Sequence, residues 1–291
     1  MIHPLVSTMR PKQWVKNLFV VAPLVFARRV SDLDSVLLTF AAVAVFCMVS
    51  SSVYVLNDLK DVEKDRAHPK KRERPIPAGT LPVKVAWRAF AVLAVGSVGA
   101  GFGLSTSFGL ATAAYLAMNI GYSFGLKRVA YLDVLFIALG FLIRVWAGAA
   151  VLSVSASWWL LTCTAVLAMY LGFGKRAHEL ITMDAGHRRS RESLAGYNPV
   201  ALEWILHALG SITVTIYVLY TQSEHVRAVF GDVHLLYTIP FPMFGILRFS
   251  YLVTNRPDSE SPTEEMLRDP LFITNLLMWG VSCVLVVYMF I

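Results

Sequence analysis

NDLKDVEKDRAHPKKRERPIP, residues 57–77, lies between two apolar runs, and its reading decides how the rest of the chain is taken. Asp58, Asp61 and Asp65 stand at i, i+3 and i+7, with Asn57 four residues before Asp61. At 3.6 residues per turn these four project from one helix face. Carboxylates stacked in that way repel one another unless a cation sits between them. Hard divalent ions such as Mg²⁺ take oxygen ligands, keep several waters and bridge to substrate phosphates. Six basic residues overlap and follow the acids: Lys64, Arg66, Lys70, Lys71, Arg72 and Arg74. Acids beside bases read as a metal–diphosphate site. The plainer alternative is a solvated loop of mixed charge, but Lys60 and Lys64 fall away from the acidic face.

Composition places this stretch at a membrane. The 291 residues are 56% hydrophobic and 15% charged, with a mean hydropathy of +0.60. Soluble chains carry about 25% charged residues. The sequence pI of about 9.4 could suggest nucleic acid. However, the bases sit in short loops between apolar spans, so the partners expected are the lipid bilayer and phosphorylated substrates, and no nucleic acid. Cys47, Cys163 and Cys283 all lie in apolar runs without disulfide or metal spacing, which suits packing. The N-terminus lacks the apolar core and cleavage site of a signal peptide.

About nine apolar spans, each near the length a bilayer demands, run at 13–27, 36–56, 84–104, 108–125, 132–152, 157–174, 200–222, 234–253 and 270–290. The expected fold is an all-α bundle of about nine transmembrane helices, a single integral membrane domain over residues 1–291. The first span is short, with Trp14 as an interfacial anchor. Gly99/Gly103 and Gly121/Gly125 have the spacing that lets helices approach closely. Of the 26 Lys and Arg, 22 fall on the side of the N-terminus, three (Arg28, Arg29, Arg227) on the other, and Arg144 within a span. Positive-inside bias then puts the N-terminus and residues 57–77 in the cytoplasm and the C-terminus outside, a multi-pass arrangement for the plasma membrane.

Further polar groups could serve the same site. Lys127 and Arg128 form a pair able to hold phosphate oxygens. Asp133 is either a helix cap or a group orienting Lys127 or a metal-bound water. Arg144, a charge within a span, is either half of a structural ion pair or an anion contact lining a cavity. Glu179 is at i+4 from Lys175 and i+3 from Arg176. That group is either a surface helix pair or a second phosphate-binding wall with one acid. His178 reads as a solvated bystander, and Asp184, Arg188, Arg189 and Arg191 as loop surface or headgroup contacts. Snorkelling accounts for Lys16 at the head of the first span, but less well for Asn17.

The chain resembles the UbiA prenyltransferase superfamily. The resemblance rests on Asn57-Asp58-x-x-Asp61-x-x-x-Asp65, on Arg74-Pro75-Ile76-Pro77-x-Gly79, and on Tyr122 with Leu126-Lys127 and Asp133. It implies a nine-helix fold whose cytoplasmic cavity binds a diphosphate through Mg²⁺ and a polyprenyl chain between helices. Metal would go to Asp58, Asp61 and Asp65, with Asp58, Asp61 and Lys127 at the chemistry. Substrate contacts would come from Asn57, Arg66, Arg72, Arg74, Tyr122 and Arg144. Lys16 and Asn17 would add to them from the first span. Where aromatic prenyltransferases carry a second aspartate motif, this chain has Lys175, Arg176 and Glu179. With the Arg10-Pro11-x-Gln13-Trp14-x-Lys16-Asn17 start, that departure resembles the branch acting on phosphorylated sugar and lipid. The implied donor is 5-phosphoribosyl 1-diphosphate and the implied acceptor a polyprenyl (decaprenyl) phosphate, for cell-wall arabinan precursors. Lys175 and Arg176 would hold the donor 5-phosphate or the acceptor phosphate. A homo-oligomer is compatible with this reading. The rivals are an aromatic prenyltransferase of quinone or haem biosynthesis, a CDP-alcohol phosphotransferase, whose Asp-Gly-x-x-Ala-Arg core is absent, and a transporter, whose inverted repeats are not evident.

Overall fold

A computed structural model describes residues 2–182, 192–230, 234–255 and 262–289, apart from a few side chains, Lys127's among them. Asp184, Arg188, Arg189 and Arg191 lie outside the described residues. All regular structure among the described residues is helical. Eight of the helices have 16 residues or more: Leu33–Lys60, Val83–Leu104, Thr106–Phe124, Leu132–Val151, Trp158–Thr182, Pro199–Gln222, Pro240–Asn255 and Pro270–Met289. Among the described residues six segments are long and apolar enough to cross a membrane; Thr106–Phe124 and Trp158–Thr182 are not among them. Thr, Ser and Gly with Asn119 dilute the first. Two Trp, three Thr, two Gly and Lys175 dilute the second.

The first expected span departs most from expectation. Residues Pro11–Val21 wind as a 3₁₀ helix that passes into a short α-helix, Ala22–Phe26. Trp14 is held inward, its Nε1 donating to Ser51 Oγ at 3.1 Å. Close approach also occurs at other glycines than those expected. Gly99, Gly103 and Gly125 have open space where a side chain would stand, and Gly121 has only ordinary contact. Tight positions include Gly148, where a Cβ would run into the Val20 carbonyl, and Gly174, where it would meet the Phe249 ring.

The chain divides into two compact units. One comprises the residues up to Leu126 together with Gly140–Ala156. Here Leu33–Lys60 packs on Val83–Leu104, Thr106–Phe124 and the 3₁₀ segment, around Phe46, Phe108 and Tyr115. The other comprises Lys127–Leu139 and the residues from Ser157 onward. Here Trp158–Thr182 packs on Pro199–Gln222 and Pro240–Asn255, with Tyr170 and Phe249 fully buried.

Candidate functional site

In the first unit the acidic stretch begins where the Leu33–Lys60 helix leaves the core. That helix stops at Lys60, Asp61 adopts φ −99° and ψ 6°, and a short helix, Val62–Arg66, follows. The expected unbroken helix is therefore interrupted at the middle acid. The ladder still crosses the break, Asp61 N–H donating to Asn57 O at 3.0 Å and Asp65 N–H to Asp61 O at 2.8 Å. Pro69 halts the second helix soon afterwards. Pro75 holds Arg74 extended (φ −60°, ψ 148°). The turn closes at Gly79, whose φ of 79° is left-handed and favours glycine. Ile76, 1% exposed, anchors the loop against Val55, Leu59 and Leu81. This anchor sets Arg74 over the acids.

Arg74 Nη1 lies 2.7 Å from Asp65 Oδ2 and 3.4 Å from Asp58 Oδ1. Arg10 Nη2 donates to the same Asp58 oxygen at 2.5 Å. Asp58 is 2% exposed and Asp65 is also buried. Asp61 is half-buried. Asn57 is fixed from the Thr106–Phe124 helix, its Oδ1 accepting from Ser123 Oγ at 2.6 Å. Arg66 points elsewhere, to exposed Glu63 at 2.9 Å and the Pro77 carbonyl at 3.4 Å. Arg72 is exposed on the turn Lys71–Glu73. Tyr122 and Lys16 are half-buried.

Mg²⁺ fits this donor set. One cationic nitrogen, Arg74 Nη1, already sits between two carboxylates, which are hard oxygen ligands. Among the described residues no three acidic, His or Cys side chains close into a cage.

Arg144 and Asn17, expected at the substrate, are absorbed into the core of the same unit. Asn17 is 0% exposed and Arg144 is 5% exposed. The guanidinium donates from Nε to Asn17 Oδ1 at 2.9 Å, from Nη1 to the Gly140 carbonyl at 2.9 Å and from Nη2 to Tyr115 Oη at 2.8 Å. Asn17 Nδ2 in turn donates to Ser50 Oγ at 3.2 Å. Neutral acceptors replace the cavity and the ion pair because burial in a span demands complete hydrogen bonding.

The second unit holds a buried acid–base network. Arg176 Nε lies 2.7 Å from Asp133 Oδ2, and its Nη1 donates to Glu179 Oε2 at 2.5 Å. Arg176 is 1% and Asp133 0% exposed. Asp133, in the first turn of its helix, accepts the Val134 N–H at Oδ1 (2.9 Å), a local contact of the capping kind. It holds Arg176 and accepts at Oδ1 from Tyr197 Oη at 2.5 Å. Tyr197 also accepts the N–H of Tyr131 at 2.8 Å, where φ is 67°. Burial, then the bond to Asp133, raises the Tyr197 phenol above its ordinary value. The expected surface pair and phosphate wall are therefore corrected: Arg176 is committed to two carboxylates. Lys175 is half-buried beside it. His178 is buried, not solvated, with Nδ1 3.2 Å from the Val253 carbonyl. Lys127 lies in the turn Leu126–Arg128, its side chain outside the description.

Two contributors escaped the sequence reading as site residues, Arg10 and Tyr197. Arg10 sits in the quoted N-terminal motif, so its position carried a signal. Tyr197 is a single tyrosine between helices and carried none.

Buried acids met by arginines at the end of a long apolar helix make a compact acid–arginine cluster in a chain rich in membrane-length helices. The family profile described as the UbiA prenyltransferase family matches residues 17–276, and the chain belongs to that family. Among its relatives, the Decaprenyl-phosphate phosphoribosyltransferase of Corynebacterium glutamicum is 32% identical over 290 residues, covering 98% of this chain and 86% of that protein. The protein of the same name from Mycolicibacterium smegmatis is 32% identical, covering 96% and 91%. Among solved structures, a UbiA homolog from Archaeoglobus fulgidus bound to GPP and Mg²⁺ superposes with a TM-score of 0.71 at 17% identity, covering 98% of this chain and 96% of that one. This likeness shows the fold.

Proposed function

We propose that the chain is a membrane transferase that moves the 5-phosphoribosyl group from 5-phosphoribosyl 1-diphosphate to decaprenyl phosphate, releasing diphosphate. The observation that carries this reading is identity of about a third, along nearly the whole chain, to relatives bearing that enzyme name. The acid–arginine cluster supplies the matching chemistry. An oxygen of the acceptor phosphate attacks the sugar C1, the C1–oxygen bond to diphosphate breaks, and its electron pair leaves with the diphosphate. The attacking group is already an anion, so no strong general base is needed. Direct displacement inverts C1. Asp58, Asp61 and Asp65 would hold Mg²⁺. When bound, the ion stabilises charge on the departing diphosphate. Arg74, seated beside those acids by Ile76, offers a guanidinium to the same oxygens. Asn57, fixed by Ser123, keeps the first acid in register.

Arg176 is committed to Asp133 and Glu179, and Lys175 beside it would be the group that meets a further phosphate. The polyprenyl tail would lie against apolar helix surface, with the acceptor phosphate at the cytoplasmic face of the plasma membrane. Pro11–Phe26 would serve as the first of nine passes, N-terminus inside and C-terminus outside. The test is mass spectrometry of lipid products from the purified protein given decaprenyl phosphate and 5-phosphoribosyl 1-diphosphate. A phosphoribosylated lipid is expected. Transfer of prenyl groups to 4-hydroxybenzoate, with no phosphoribosylated lipid, overturns the reading.

A further inference from the structure

Arg10 occupies a costly backbone position. Its φ of 53° and ψ of 64° are left-handed, uncommon for a residue with a side chain, and Pro11 follows. Such a conformation persists only where the surroundings over-determine it. They do so here. The Ile2–Met9 helix packs on Leu33–Lys60, Arg10 N–H donates to Ser7 O at 3.2 Å, and Gln13 N–H donates to Arg10 O at 2.9 Å. The guanidinium lies 5.2 Å from the centre of the Tyr54 ring and ends on Asp58. Arg74 reaches the same carboxylate from the other end of the stretch. The carboxylates are almost fully buried, whereas the Arg10 and Arg74 side chains are 30% and 32% exposed. Each arginine therefore closes off an acid from one side and keeps part of its surface toward water. A guanidinium has five donors in a planar fork, and the bonds to the acids use one nitrogen of each.

We propose that Arg10 and Arg74 are exchangeable counter-ions. Without ligand they neutralise Asp58 and Asp65, and when a divalent cation takes those carboxylates the two guanidinium groups turn to the diphosphate of the donor. This rests on the reading of residues 57–77 as a metal–diphosphate site. Asp58 and Asp65 balance the two guanidiniums, and Asp61 leaves one negative charge over. Adding a divalent cation alone leaves an excess of positive charge, which a diphosphate removes. Metal and diphosphate should accordingly bind together, each poorly without the other. Arg10 thus has opposite effects on the two ligands: it competes with the metal and attracts the diphosphate. A residue that merely held the fold would move both affinities the same way.

The test uses the purified full chain in detergent, with Mn²⁺ as a paramagnetic probe. Binding is measured for Mn²⁺ alone and for Mn²⁺ with inorganic diphosphate. Arg10→Gln should bind Mn²⁺ alone about ten-fold tighter and the Mn²⁺–diphosphate complex about ten-fold more weakly, the scale of one charge-assisted hydrogen bond. Arg10→Lys keeps the charge without the fork and should show both changes at smaller size, so a misfolded Gln variant leaves the question answerable. Variants that bind Mn²⁺ alone no tighter than the unaltered chain, or that lose both ligands together, overturn the exchange while leaving the metal reading in place. Absence of Mn²⁺ binding by the unaltered chain, with and without diphosphate, overturns both.

Discussion

Replacing Arg176 by alanine should damage the fold before it damages substrate binding. Arg176 lies between Asp133 and Glu179 at 2.7 and 2.5 Å, with the Asp133 and Arg176 side chains essentially sealed from water. Its removal strands two carboxylates in a low-dielectric interior. Breaking a buried ion pair by removing one partner costs about 3–5 kcal/mol. At about 2–4 °C per kcal/mol for a chain of this order, the melting temperature in detergent should fall on the order of 10 °C. The rescue is specific. Arg176→Met combined with Asp133→Asn and Glu179→Gln removes the stranded charges while keeping the oxygen that Tyr197 bonds, and should recover most of the loss. Lys175→Ala is the contrasting variant, expected to raise the KM of one phosphorylated substrate about ten-fold. An Arg176→Ala protein that melts with the unaltered chain but shows a raised KM for 5-phosphoribosyl 1-diphosphate would refute the structural role.

Asp58→Asn and Asp61→Asn should each abolish most turnover in the lipid-product assay while the protein remains folded, and full activity in EDTA would end the metal proposal. A reporter active only outside the cytoplasm should give signal when fused after Ile291 and none when placed at residue 70; the reverse pattern would overturn the orientation. Tyr197→Phe should lower thermal stability near neutral pH, because Asp133 and the Tyr131 amide each lose a partner. The folded-state value of this phenol is raised, so its contribution is present in full below the ordinary tyrosine value of 10.0 and fades as pH rises through the raised one. The gap between variant and unaltered chain should therefore narrow above about pH 10, and a gap that widened there would contradict the assignment.

The acidic stretch was legible because its signal is local. Asp58, Asp61 and Asp65 declare themselves by spacing, and Arg74-Pro75-Ile76-Pro77-x-Gly79 by its turn chemistry. The break at Asp61 was not legible, since nothing in the spacing says where a helix leaves a core. The fate of each isolated charge depended on partners far away in sequence. Arg176 finds Asp133 and Arg144 finds Asn17, pairings that periodicity cannot see. The glycine pairs misled for the same reason, because close approach is a property of two elements. Gly148 meets Val20 and Gly174 meets Phe249, whereas the regularly spaced glycines meet little.

The neutral cradle of Arg144 bears on biosynthesis. An arginine at the centre of a membrane helix costs about 2.5–3.5 kcal/mol on insertion scales, a penalty that acceptors already in the bilayer can offset. Apart from Gly140 on its own helix, the groups that receive or support this guanidinium are Asn17, Ser50 and Tyr115, all translated earlier. The ribosome therefore delivers the charge last, to a waiting set of acceptors. A circular permutant beginning near Gly125 would reverse that order, and its Arg144 helix would have to enter the bilayer with no earlier helix to receive it.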